Sequence, residues 1–320
     1  MSKLLNTLEL EYVPCCVCGS HQGRVVAEGR DFEYNSCSNK FTFKECDNCG
    51  HWYLSPRPKE HDLGIIYPSN YYSYSQDQWK KKTLTNSIWE ILEKRKIKKI
   101  VKRFIKQPEK MHLFELGCGS GRFLHLLRKY VSKSCKISAV EISESAVRFA
   151  AQIEDVDVIQ GNFEEISIEP ESIDIIIAQQ LIEHVSDPRS ILKKAYDSLR
   201  PNGVVILETP NVKGFDRKLF SKRYWGGYHF PRHFNLFSPD TLLRLCKQCG
   251  FTQVYYEPLI SASFWITTMR NILSERSLFR GILPWVYFKN PLLLSLTTSI
   301  EISLRIANIP SSNMQFIAKK

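Results

Sequence analysis

The chain has 320 residues, 43% of them hydrophobic, 12% aromatic and 24% charged. That is an ordinary globular composition, with length for roughly two domains and no stretch biased enough for a repeat array or a disordered tail. The net charge of +11 bears on partners rather than fold: it favours a phosphorylated small molecule, nucleic acid or an acidic membrane surface.

Glu9 and Glu11 interrupt the N-terminal apolar residues, so no secretory signal is expected. The most apolar stretch, residues 281–309, is broken by Lys289, Pro291, Glu301 and Arg305. A spanning helix needs about 20 mainly apolar residues. A cytoplasmic protein is expected, touching at most the inner face of a membrane.

Residues 1–58 are turn-rich and dense in cysteine. Cys15-x-x-Cys18-Gly19 and Cys46-x-x-Cys49-Gly50 form two knuckles, each followed by a glycine that permits a tight turn. Two such thiolate pairs can close the four corners of a tetrahedral zinc ion, and the interval between them suits a hairpin. A small zinc ribbon with a structural ion is expected. Cys16 and Cys37 are left over. Cys246 and Cys249 repeat the spacing inside a predicted helix, where the two sulfurs merely share a face.

Residues 59–108 read as a connector and a helix. The aromatic run from Tyr67 to Tyr74 is irregular, and Ile88, Leu92, Ile97, Ile100, Val101 and Phe104 recur at helical spacing over 86–106. The cluster Lys94, Arg95, Lys96, Lys98, Lys99, Lys102, Arg103 and Lys106 would give that helix a basic, solvated outer face.

Beyond Pro108 strands and helices alternate. Strands are predicted at 112–116, 137–142, 156–160, 173–178, 203–209, 253–258 and 314–318, and helices at 121–131, 144–153, 188–199 and 239–249. Asp187-Pro188 and Ser238-Pro239 are helix starts, and Gly250 is a stop. The near-continuous apolar strand Ile173-Asp-Ile-Ile-Ile-Ala178 suits a parallel sheet covered on both faces. The fold class is α/β, a Rossmann-like doubly wound sheet of seven strands, with a helical insertion at about 261–309 ahead of the last strand.

Phe114-Glu-Leu-Gly117-Cys-Gly119-Ser-Gly121 follows the first of these strands and opens a helix. Its alternating glycines allow a sharp turn and close approach of a ligand. A dinucleotide fingerprint would need glycine at Arg122. Glu141 ends the second strand, where a carboxylate can hold ribose hydroxyls, and Gly161-Asn162-Phe163 ends the third.

The run FELGCGSGRF resembles motif I of class I S-adenosylmethionine (SAM)-dependent methyltransferases, and VEIS, GNFEEI, IIIAQQLIEHVSDP and LRPNGVVILETPN resemble their later motifs in order, over about residues 110–256. CVCG…CDNCGHWYLSPRP with WGGYHFPRHFNLFSPDTLLRLCKQCGF looks like a subgroup common in bacterial sugar and polysaccharide pathways. The resemblance implies that Gly117, Gly119 and Gly121 wrap the methionine end of SAM, with Glu115 near its amino group. Glu141 would hold the ribose, Asn162 and Phe163 would flank the adenine, and Gln179 would line the methionine moiety. Sugar C-methyltransferases of this kind usually carry a further C-terminal domain; the chain stops at Lys320, which turns the expectation towards oxygen. Adenine methylases place Asp/Asn-Pro-Pro-aromatic where this chain has Gln179-Gln-Leu-Ile182, so that chemistry is not expected.

A hydroxyl nucleophile needs a base, and histidine suits neutral pH. His184 follows the fourth strand, while His229 and His233 lie in the loop Tyr224-Trp-Gly-Gly-Tyr-His-Phe-Pro-Arg-His233 after the fifth. The choice among them stays open, with Tyr228 as a further candidate. That loop, aromatic, glycine-flexible and basic at Arg232, suits a phosphorylated sugar. The function expected is O-methylation of a nucleotide- or lipid-linked sugar or related anionic small molecule. Two alternatives stand beside it: an RNA methyltransferase gripping its substrate with ribbon and basic helix, and a non-catalytic membrane-associated scaffold using that helix and the apolar segment 281–309.

Overall fold

The computed structural model describes residues 6–68, 71, 83–276, 281–287 and 290–320. Of the aromatic connector, Tyr67, Pro68 and Tyr71 fall within these residues; the remainder, like Lys289, lies outside them.

The N-terminal region comprises β1 (Leu10–Glu11), β2 (Gly23–Gly29), β3 (Phe41–Cys46), β4 (Trp52–Leu54) and β5 (Arg57–Pro58). β1 pairs with β5, and β2, β3 and β4 form an antiparallel sheet. A short helix α1 (Leu63–Ile66) follows, then α2 (Leu84–Phe104), which Thr83 caps by accepting from the Asn86 amide at 3.2 Å.

The α/β region runs β6 (His112–Leu116), α3 (Arg122–Tyr130), β7 (Lys136–Glu141), α4 (Glu144–Ala150), β8 (Asp157–Gln160), β9 (Ile173–Gln179), α5 (Pro188–Ser198), β10 (Leu199–Pro210), α6 (Phe215–Leu219), β11 (Asn235–Leu236), α7 (Pro239–Gln248), β12 (Gln253–Leu259), α8 (Ala262–Ser274), α9 (Pro291–Ile306) and β13 (Asn313–Lys319). Seven of its strands form one mixed sheet in the order β12-β13-β10-β9-β6-β7-β8. β6 to β10 pair in parallel, and β13 inserts antiparallel between β10 and β12. Strand order reverses at β6, so a crevice opens at the carboxyl ends of β6 and β9, where open α/β sheets bind ligands.

The punctuation behaves as its chemistry requires. Asp187 accepts from the Arg189 and Ser190 amides ahead of α5, Ser238 and Thr241 form a capping box on α7, and Asn290 caps α9. α8 and α9 constitute the helical insertion before β13. Among the described residues no helix is long and apolar enough to cross a membrane.

Lys96 departs from expectation. It belongs to the buried face of α2, with Ile97 and Ile100, and its ammonium bridges Glu93 at 2.7 Å and Glu208 at 3.0 Å. Position 96 falls one turn from Ile100 and three residues from Glu93, on the face that packs against the sheet. Two carboxylates compensate its desolvation.

The four-stranded N-terminal sheet has the order β11-β4-β3-β2, so its last member comes from the segment after β10. Phe41, Phe43, Trp52 and Leu54 share one core with Trp225, Tyr228, Phe230, Phe234 and Leu236. This corrects the reading of the 224–233 loop as glycine-flexible and suited by its aromatic residues to a sugar ring: the rings of Trp225, Tyr228 and Phe230 belong to the core. Trp225 and Tyr228 are fully buried, and a Cβ on Gly227 would stand 2.3 Å from the Trp225 ring. The glycine there serves packing.

Candidate active site

At the carboxyl end of β6 the chain turns through Gly117, Gly119 and Gly121, all at positive φ. Gly121 (φ +85°) begins α3, and a Cβ on it would lie 2.7 Å from Ile153 Cδ1. Any side chain would therefore be strained and also clash. Glu141 ends β7, and its carboxylate accepts from the Gly119 amide at 2.8 Å and the Ser143 amide at 2.9 Å. Each oxygen keeps a second acceptor lone pair. Asn162 accepts from the Glu164 amide, while Phe163 is buried against Phe114 at 6.2 Å between centroids.

Below this loop lies a group of buried carboxyls. Glu115 is almost wholly enclosed, one of its oxygens has no hydrogen-bond partner, and burial pushes its pKa well above the usual carboxylate range. Gln179 donates to Glu208 at 3.3 Å and Gln315 does so at 3.0 Å. Burial alone would lower the Lys96 pKa, but Glu208 and Glu93 hold it above its ordinary value. A cradle open only to glycine, beside an orphaned carboxyl oxygen, fits a ligand carrying an ammonium group. Lys96, Glu93 and Glu208 were missed from sequence, although the helical period puts 93, 96 and 100 on one face.

The three candidate histidines converge past the ends of β9 and β10. His184 and His233 rings lie 4.6 Å apart, His229 and His233 4.9 Å, and His184 and His229 6.0 Å. They differ in environment. His229 Nδ1 is held by the Glu33 carboxylate, and its Nε2 faces the Tyr71 hydroxyl at 3.5 Å. His184 Nδ1 lies 3.1 Å from the Arg232 carbonyl and 3.0 Å from the Tyr67 hydroxyl. Burial lowers its pKa to about 3. His233 Nδ1 lies 2.9 Å from the Gly227 carbonyl, and burial, followed by the neighbouring histidines, holds its pKa well below the ordinary value. Glu183 is fully buried with a pKa pushed up to about 8, again by burial.

Tyr228 is packed against Phe43, Trp225 and Phe230, and burial pushes its hydroxyl pKa up to about 12. Arg232 is not the anion-binding residue the sequence suggested. It is completely buried and makes a two-pronged pair with Asp31, at 3.0 and 2.9 Å. Although burial would raise the Asp31 pKa, Arg232 brings it down to about 2. Its charge is consumed in joining the N-terminal region to the loop. Glu33, Tyr67 and Tyr71 were invisible as site residues because nothing local marks them.

The sulfurs of Cys15, Cys18, Cys46 and Cys49 all lie within 4.8 Å of one another, an arrangement that could bind a metal ion. Thiolates about 2.3 Å from one tetrahedral ion stand about 3.8 Å apart, and two of these pairs are at 3.5 and 3.4 Å. Cys16 is engaged by Asn235 and His51 instead. Cys246 and Cys249 are buried in the same core as Cys15 and Cys46 but are not members of the four-sulfur group.

Counted within the α/β sheet from β6 as first to β13 as seventh, the strand order is 6-7-5-4-1-2-3 with the seventh strand antiparallel, that of class I SAM-dependent methyltransferases. The family of methyltransferase domains matches residues 88–256, more than half of the sequence, and this chain belongs to it. A probable S-adenosylmethionine-dependent methyltransferase of Mycolicibacterium smegmatis is 30% identical over 31% of this chain and 38% of its own length. A ubiquinone biosynthesis O-methyltransferase of Parvibaculum lavamentivorans is 28% identical over 34% of this chain and 44% of its own. The chain thus spans less than half the length of either. Among solved structures, a Haemonchus contortus phosphoethanolamine N-methyltransferase 2, bound to phosphomonomethylethanolamine and S-adenosylhomocysteine, aligns with a TM-score of 0.50. It is 15% identical over 93% of this chain and 68% of that one, a likeness of fold.

Proposed function

We propose that the protein transfers a methyl group from SAM to a hydroxyl of a small molecule, a nucleotide- or lipid-linked sugar being the leading acceptor class. The observation that carries this reading is the His229–Glu33 pair within the histidine cluster past the ends of β9 and β10. With Nδ1–H donated to Glu33, the imidazole keeps its lone pair on Nε2 and is oriented to take a proton. Glu33 also stabilises the imidazolium formed. His229 is therefore the base we favour over His184 and His233, whose burial opposes the charged form.

SAM supplies an electrophilic methyl on a sulfonium. Gly117, Gly119 and Gly121 wrap its methionine end, Glu115 receives the ammonium, Gln179 lines the same moiety, Glu141 holds the ribose, and Asn162 and Phe163 flank the adenine. The protein's main contribution is alignment in a desolvated crevice, worth roughly 7–11 kcal/mol for well-oriented reactants. We further propose a structural zinc ion on Cys15, Cys18, Cys46 and Cys49.

The relatives named as O-methyltransferases support oxygen as the target. The RNA alternative loses part of its electrostatic basis, since Lys96 is mostly buried and paired with Glu93 and Glu208, and Lys99 and Arg103 face Glu257. Membrane contact draws support from exposed Trp285, Leu292 and Ile306 on the insertion. Incubating the protein with labelled SAM and nucleotide-sugar or glycolipid extracts tests the proposal. Label in a sugar fraction, lost in His229→Asn, is the expected result; label in RNA alone would overturn it.

A further inference from the structure

We propose that Glu183, His184 and His233 form a second metal site, separate from the cysteine cluster, which takes a divalent transition-metal ion. One ligand atom from each residue lies within 4.8 Å of the others. The donors are two imidazole nitrogens and one carboxylate oxygen, from two segments held together by backbone hydrogen bonds. The Phe234 and Asn235 amides both donate to the Glu183 carbonyl, at 2.7 and 3.0 Å.

The surroundings of each ligand match what metal sites require. Imidazoles that bind a metal through one nitrogen usually give their other N–H to a carbonyl or carboxylate, which fixes tautomer and orientation. Carbonyl oxygens only accept, so His233 Nδ1 carries its proton for Gly227 O, and the arrangement that satisfies the Arg232 carbonyl has the proton of His184 on Nδ1 as well, with the Tyr67 hydroxyl oxygen at 3.0 Å as a second acceptor. Both lone pairs are thereby left on Nε2. His233 Nε2 is 4.0 Å from Glu183 Oε1. Glu183 Oε2 accepts from Thr209 Oγ1 at 2.9 Å, while the fully buried Oε1 has no hydrogen-bond partner among the described residues. An orphaned carboxyl oxygen in the interior has lost its water without gaining a partner, and a cation there removes that cost. With bonds of about 2.0–2.2 Å, the three side chains need only close slightly on the ion.

Two nitrogens and one oxygen, without sulfur, suit manganese, iron, cobalt or zinc better than magnesium or calcium. Three protein ligands leave coordination positions open. If the reaction proposed above holds, an acceptor hydroxyl in one of them would ionise more readily, with His229 one ring away to receive the proton. The binding site itself does not depend on that reaction.

The test uses the full chain, stripped of metal and reloaded with a single equivalent of zinc, which four thiolates take in preference to two imidazoles and a carboxylate, then titrated with Mn2+ while free Mn2+ is followed by electron paramagnetic resonance. Saturable binding of one equivalent, abolished in Glu183→Gln and His233→Gln with SAM affinity retained by calorimetry, is expected. Thr209→Val, which keeps all three ligands, should weaken binding about 10–100-fold and decides the matter if the ligand variants fail to fold. Absence of saturable Mn2+ and Co2+ binding by the zinc-loaded wild type, or binding indifferent to all three substitutions, overturns the site. Metal binding without methyl transfer to any sugar would instead sink the acceptor reading and leave this site standing.

Discussion

The glycine loop and the histidine cluster lie at the same edge of one sheet, yet they are assembled in different ways. The loop is a local object: residues 114–121 turn within a few positions and meet Glu141 from the neighbouring strand. The histidine cluster is composite. It draws Glu33 from the N-terminal region, Tyr67 and Tyr71 from the connector, Glu183 and His184 from the end of β9, and His229 to His233 from the loop after β10. A local object can be damaged at one residue, whereas a composite one also depends on what joins its parts. The Arg232–Asp31 pair, together with the aromatic core around Trp225 and Phe43, does the joining.

Four substitutions sharpen that contrast. The largest effect is expected at His229. His229→Asn should lower kcat about 10²–10⁴-fold, leaving SAM affinity unchanged by calorimetry. A comparable loss of SAM binding would show that the two halves are not separable. Next is the junction. Arg232→Ala leaves Asp31 as a buried unpaired charge, and breaking such a pair costs about 3–5 kcal/mol, to be read from the urea midpoint. If stability holds, the pair does not secure the composite half.

A third test strikes the local half. Gly121→Val combines a left-handed backbone with a clash at Ile153, together about 3 kcal/mol, or roughly a hundredfold in SAM affinity. Retained affinity would mean the loop is not the SAM cradle. The smallest effect is a pH response of the N-terminal core. Burial lowers the His51 pKa to about 4, so the unfolded state binds its proton first as pH falls below the ordinary value of 6.5. Its contribution is present above pH 6.5 and is lost on acidification towards 4, about 2 kcal/mol by pH 5. Glu183, with a raised folded pKa, acts in the opposite sense between 4.5 and 8. The informative quantity is therefore the difference between wild type and His51→Gln in urea unfolding at pH 7 and pH 5. Equal slopes would exclude His51 as a source.

Much of the α/β region was legible in the sequence. Alternating apolar strands and the starts at Asp187-Pro188 and Ser238-Pro239 act over a few residues, and β6, α5 and β13 appear where those signals put them. The two cysteine knuckles were readable for the same reason. Lys96 was misplaced among surface charges because composition outweighed period; its position one turn before Ile100 held the correct signal. Arg232 was read as a ligand for phosphate because a basic residue in a loop carries no mark of its partner, and Asp31 stands some two hundred positions earlier.

The sequence by itself determined the seven strands and main helices of the α/β region, the glycine turn, the cysteine spacing and the identity of the three histidines, since each is written in residues close along the chain. Tertiary structure alone decided which histidine is paired with a carboxylate, which carboxyl is left with an orphaned oxygen, and that β11 completes the sheet of the N-terminal region. The reason is physical: burial and charge pairing depend on which distant segments exclude water together, and no periodicity records that.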